Sequence, residues 1–318
     1  MSIKSSHYIT LFLFYFTLQL NATTWDEPWQ SEIIKAADYM VYARVVSNVD
    51  SIGMEVEIIK SFGQDLQGKI LIDGFFMWDI CSMSGGHQHY FTFAVDDMIY
   101  LFLKKGEKGN YELPTPTSGY AEIVDDKVRA TYRHSYHMAA IDQELYEWSF
   151  QQIWNYTKNG VYNKQQVNEF IDRLLSKPAA GFSEDEIDTF FEQHVALEMA
   201  FLMNLRVELD ILMKFTGSDN FHAQISAMRA MGNGRGKKTV EHLIEFIFNE
   251  EKDPFSKTMA IQALAKVGNK RQKQKVMKRV EELSEEETGF GGNIMDPRVC
   301  TTVPNPKRAA LKYLAKPE

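Results

Sequence analysis

The chain has 318 residues, 44% hydrophobic and 25% charged, with a formal net charge of −8 at pH 7. That length suits two domains, each able to bury a core, and the composition is that of ordinary folded protein rather than a disordered or low-complexity chain. The acidic balance excludes a general nucleic-acid surface, which needs clustered Lys and Arg.

Lys4 and His7 precede the apolar run Ile9–Leu18, and Leu20-Asn21-Ala22 offers small residues for cleavage before the polar Thr23-Thr24. This is the pattern of a signal peptide over 1–22, cleaved after Ala22, and its apolar run is too short to span a bilayer comfortably. The expectation is a secreted or periplasmic protein with no membrane insertion after cleavage. Two cysteines, Cys81 and Cys300, are present. An oxidising compartment allows one bridge between them, and two buried thiols are the alternative.

After a short helix over 32–37, period-two and continuous apolar runs predict five strands at Tyr39–Val46, Met54–Lys60, Lys69–Asp73, Phe91–Val95 and Met98–Leu103. Gly- and Asp-bearing turns separate them, which reads as a small five-stranded OB-like β-barrel over 23–137. The segments Ala36–Val46, Met54–Gly63 and Val95–Leu103, with Cys81 after the third strand, resemble bacterial netrin-like domains, which are similar to the tissue inhibitors of metalloproteinases. The resemblance covers roughly Ser31–Arg133 and implies the barrel fold and, as one alternative, a metalloprotease inhibitor-like role. In the animal inhibitors the mature chain opens on a Cys that binds the protease zinc. Here it would open on Thr23.

Candidates for chemistry are few. His87 and His89 lie at strand spacing, so both imidazoles project to one face, an arrangement that can bind a metal. His134 and His137 share a face if Tyr132–Ala140 is helical. With Cys81 they can be assembled into a ligand set for a metal-binding protein or metal-dependent enzyme, the second alternative; the plain reading is that His87 and His89 edge a solvated loop at Gly85-Gly86. No catalytic residue is assigned and no cofactor is expected. Ser82 and Ser84 lie in no nucleophile elbow, and a phosphate-cradling glycine loop is absent.

From Met138 the period becomes helical. A helix carrying Trp148 and Trp154 ends near Asn159-Gly160, and Asn163 caps a helix over Lys164–Leu175. Ser183 and Glu186 form a capping box, and a long helical stretch then runs over Asp185–Phe215 with a break near Glu192–His194. The segments 138–216 are connecting helices. Beyond them, Ile225–Asn233 and Ile261–Asn269 align at a spacing of about 36 residues, onward through Arg235/Arg271 and Lys237/Lys273. Each unit reads as a helix ending at Gly-Asn followed by a second helix, with an αL residue at Gly232. These features resemble HEAT-type repeats over 217–318, with a third unit at Lys307–Leu314 displaced by a loop that holds Cys300. Such arrays recognise partners. The fold class expected is therefore α+β, a barrel followed by a HEAT-like helical segment. The expected function is non-enzymatic binding or scaffolding of another protein, with no nucleic acid as partner.

Overall fold

The computed structural model describes residues 25–26, 28–49, 53–73, 93–106, 109–114, 119–286, 288, 299–300 and 303–315. The elements in chain order are β1 (Trp25–Asp26), α1 (Gln30–Ala36), β2 (Tyr39–Val49), β3 (Gly53–Ser61), β4 (Gly68–Asp73), β5 (Met98–Lys105) and β6 (Tyr111–Glu112). β7 (Tyr120–Val124), β8 (Lys127–His134) and β9 (His137–Asp142) complete the main sheet. Then come α2 (Gln143–Asn159), α3 (Lys164–Leu175), α4 (Ile187–Leu202), α5 (Leu209–Thr216), α6 (Phe221–Met231), α7 (Lys237–Ile247), α8 (Pro254–Val267) and α9 (Lys270–Met277), and finally β10 (Val299–Cys300) and α10 (Pro306–Tyr313).

Strands β2, β3, β4, β6 and β5 are neighbours in that order, and β5 pairs back onto β2 from Tyr39↔Leu103 to Arg44↔Met98. The barrel is therefore closed with five strands. Its interior holds Val41, Ala43, Val45, Met54, Val56, Ile72, Ile99, Leu101 and Leu103, all nearly inaccessible. The alternate residues of β5 point outward and are equally apolar. Tyr100 meets Tyr146 with ring centroids 4.5 Å apart, and Phe102 meets Phe150 at 5.5 Å. A strand covered on both faces reads as a continuous apolar run rather than an alternating one, which is why Met98–Leu103 looks as it does. β7, β8 and β9 extend the sheet from β5 and carry it to Asp142, past the boundary drawn at 137 from the sequence.

Among the described residues the fifth barrel strand is β6. Of the expected strand Phe91–Val95 only 93–95 are described, and they lead into a turn: Ala94 N donates to the Asp97 carboxylate at 2.7 Å, and Asp96 takes a left-handed φ of 74°. A two-residue strand flanked by turns has no periodicity to read. Tyr132–Ala140 is likewise a hairpin rather than a helix. Val128, Ala130 and Tyr132 are buried on β8, and Ala139 and Ile141 on β9, at the two-residue spacing of strands.

The helical half follows the predicted caps in most places. Asn163 accepts from Gln166 N, and Gly160 closes α2 at φ 69°. Asp253 is a further cap, ahead of Pro254 at the start of α8. Trp154 is core between Phe102 and Lys158, and Trp148 packs on Phe170. Three expectations change. The long stretch after Asp185 breaks at Met203–Glu208, where Asn204 has φ 52°, rather than near His194, which is buried in mid-helix. Ser183 donates to the Glu186 side chain, so the pair makes a turn ahead of α4 rather than a capping box. Gly232 is right-handed, and the positive φ lies at Gly236.

Helices α4, α6 and α8 run parallel in one layer. The Asn233 amide, just past α6, donates to the carbonyls of Ala200 and Phe201 at the end of α4. Gly232 at the same place leaves a Cβ only 3.5 Å from the Cα of Ala263 in α8. Small residues at this contact let the helix axes approach closely. α3, α5 and α7 each pack on the layer helix that follows them, giving three helix pairs, α3–α4, α5–α6 and α7–α8, and the layer has one helix, α4, more than the sequence spacing reveals. One apolar core runs without interruption from the outer barrel face through β8 and β9 into all three pairs. No helix among the described residues is long and apolar enough to cross a membrane.

Candidate functional site

The densest set of titratable side chains lies where the β8–β9 hairpin meets α4 and α6. Tyr132 of β8 packs on Phe150 of α2 and edge-on to His194 of α4, Arg133 reaches Ser226 of α6, and His134 pairs with His137 across the hairpin. From α4 come His194 and Glu198, one turn apart. From α6 come His222, Ser226 and Arg229, spaced to share one face. Arg133, His134, Glu198 and Ser226 have no solvent exposure, and His137, His194 and Arg229 are below a tenth.

Ser226 is the hub. Its hydroxyl donates to Glu198 Oε1 at 2.7 Å, so it must accept from Arg133 Nη1 at 3.1 Å and from His194 Nδ1 at 3.2 Å. That fixes the proton of His194 on Nδ1 and leaves its Nε2 as a bare acceptor. Arg133 Nη2 lies 2.9 Å from His222 Nδ1, and a guanidinium can only donate, so His222 carries its proton on Nε2. Arg229 Nε donates to Glu198 Oε2 at 3.0 Å, and its guanidinium sits 3.9 Å from the Phe201 ring and 4.7 Å from Trp29. His137 stacks on His222 with centroids 4.1 Å apart and meets His194 edge-on at 4.4 Å.

Two guanidiniums face one carboxylate, so this dry junction already carries surplus positive charge. Burial first, then the nearby guanidinium of Arg133, hold His222 down at about 3, and burial with neighbouring cations depresses His137 and His194 well below the usual histidine range. All three imidazoles are therefore neutral at pH 7. Arg133 Nε, Arg229 Nη2, His137 Nε2 and His194 Nε2 are buried without a hydrogen-bond partner among the described residues. Each such atom costs about 1–3 kcal/mol, so the apolar packing around the junction holds it together as much as its own bonds do.

The arrangement resembles a nucleophile–base–acid set only superficially. Glu198 bonds Ser226 instead of orienting His194, and Ser226 is sealed from solvent. It cannot meet a substrate without the hairpin leaving the helices. What the geometry does is tie residue 133 of the barrel sheet to residues 194–229 of the helices.

The structure brings His137 together with two histidines, His194 and His222, that were not singled out in the sequence, whereas His134 stacks on Tyr136 and meets Trp29 edge-on. His87, His89 and Cys81 lie outside the described residues, and of Cys300 only the backbone is described, in β10 beside β1. Among the described residues no three His, Cys, Asp or Glu side chains are arranged to hold a metal ion. The signal that identifies the new members is polar residues at helical spacing on apolar helices: 194 and 198, then 222, 226 and 229.

An open cleft of about 620 Å³ lies beside the junction, between the loop after α3 and the loop before α6, lined in part by Ser176, Lys214, Asp219 and Asn220. Gln193 fastens its rim by bonding Ala180 N and the carbonyls of Leu174 and Pro178. Phe182, 56% exposed, stands edge-on to Phe190 at 4.9 Å and to His222 at 6.0 Å, and so covers the junction from the solvent side. Phe182→Ala admits water to His222 and raises its pKa from about 3 by at least about one unit, read by NMR titration of the imidazole. An unchanged titration shows that Phe182 is not the seal.

No protein-family model, curated protein or solved structure matches the chain.

Proposed function

We propose that this chain is an exported, non-enzymatic scaffold that binds another protein through its helical half. The observation that carries this reading is the layer of parallel helices α4, α6 and α8, with their packed partners, sharing one core with the outer barrel face. Stacked pairs of this kind bury their apolar faces against one another and offer a long, regular outer surface, the feature that repeat arrays use for recognition. A closed five-stranded barrel joined to such pairs also fits the likeness to netrin-like domains and HEAT-type repeats. The polar junction adds rigidity, because a pre-organised surface loses less entropy on binding. Its chemistry is spent on internal bonds rather than presented to a substrate.

The test is photo-crosslinking in native cells, from a probe at Met213 in α5 and from a control probe at Ile59 on the barrel, both exposed. A discrete protein adduct is expected from the helical position and not from the barrel position. Absence of any adduct from folded, exported protein would overturn the proposal.

A further inference from the structure

We infer that the edge of the helical layer formed by the α4–α5, α6–α7 and α8–α9 turns is a docking strip for an extended acidic segment of a partner protein; this rests on the protein-binding reading above. The three turns carry the same short motif, Asn204-Leu205-Arg206, Asn233-Gly234-Arg235 and Asn269-Lys270-Arg271. The asparagines work inward. Asn233 caps α4, Asn269 caps α9 through Gln272 N, and Lys266 bonds the side-chain oxygens of both Asn204 and Asn233, stitching the turns side by side. The arginine two residues on is exposed in every turn. None of Arg206, Arg235 and Arg271 makes an ion pair or hydrogen bond among the described residues. The exposed Lys238 and Lys270 thicken the strip.

This concentration stands out in a chain of net charge −8. The opposite ends of the same helices are richer in acids, with Asp219, Glu250, Glu251 and Glu281 in the intervening connections beside Lys252 and Arg279, while the strip's turns include one exposed acid, Glu208. The layer is charge-polarised, and an approaching acidic chain is steered to one edge. Helices in contact lie about 8–10 Å apart, so the three arginines span about 20 Å, which roughly six extended residues cover. Guanidinium groups at that spacing match carboxylates, to which they can bond in pairs. A peptide is favoured over a membrane because the charges form a row rather than a plane, and because none of the large exposed apolar residues, such as Phe182, Met213 or Leu311, belongs to these turns.

The experiment uses the full mature chain and a fluorescein-labelled polyglutamate of roughly six to eight residues, followed by anisotropy at low and moderate salt. Binding is expected, weakening as salt rises. The variant Arg206→Glu/Arg235→Glu/Arg271→Glu, shown to be folded by its thermal melt, is expected to lose at least about tenfold in affinity. The corresponding Lys variant keeps most of it, and Glu250→Lys/Glu251→Lys binds no more weakly than wild type. No binding by the wild type, equal binding by the triple Glu variant, or tighter binding to vesicles of anionic phospholipid than to the peptide would each overturn the inference. Should the triple Glu variant still yield the same adduct from the Met213 probe in cells, the strip is wrong while the scaffold reading stands; loss of that adduct supports the strip.

Discussion

Glu198→Ala is expected to lower unfolding stability by about 3–5 kcal/mol, more than any other single substitution in the junction. The carboxylate is inaccessible and takes hydrogen bonds from both Ser226 and Arg229. Its removal leaves two guanidiniums, Arg133 and Arg229, in a low-dielectric junction with no counter-charge, and frees the Ser226 hydroxyl that organises His194. Breaking a buried pair on one side costs far more than replacing it on both. Glu198→Leu combined with Arg229→Met is therefore expected to recover much of the loss, since the surrounding Trp29 and Phe201 can pack against apolar side chains. Denaturant titration of the variants reads both outcomes. A loss below about 1 kcal/mol for Glu198→Ala would mean that the junction is not the ionic clamp described.

Acid is expected to open the same junction. His137, His194 and His222 have folded pKa values far below 6.5, while in the unfolded chain each returns to about that value. Below pH 6.5 the unfolded state therefore binds more protons than the folded state, and stability falls as pH falls. The contribution of these groups is complete above pH 6.5 and declines steadily toward the folded values. Moving from about pH 7.5 to about pH 5 removes about 2 kcal/mol for His222, whose folded value is about 3, and His137 and His194 lower stability in the same direction, unless the junction opens first. The groups facing the imidazoles are Arg133 from β8, Glu198 from α4 and Arg229 from α6, and the two cations reinforce the effect. Equilibrium unfolding across this range should show the steep loss, and it should be shallower in His222→Phe, which keeps an aromatic ring stacked on His137. A flat profile would mean that the imidazoles titrate normally.

Local rules made much of the chain legible. The capping by Asn163 depends on residues within four positions, and so does the αL stop at Gly160. The outward and inward faces of β2 and β5 follow from alternation. What escaped is what depends on distant partners. Arg133 reaches residues 89 and 93 positions away, and no local pattern distinguishes a histidine bound for that contact from one on a solvated loop. The place of α4 in the layer escaped because the turn after it is longer and lacks the Gly-Asn step, although Asn204 and Arg206 already hold the places of Asn233 and Arg235. The two-residue strand β6 escaped because a segment that short has no period.

Scanning calorimetry of the mature chain at about pH 7.5 tests most directly whether the barrel and the helical pairs form one platform. The shared core and the Arg133–Ser226–Glu198–Arg229 network predict a single transition whose calorimetric and van't Hoff enthalpies agree. Two resolved transitions, with the barrel and the helices melting independently, would contradict it.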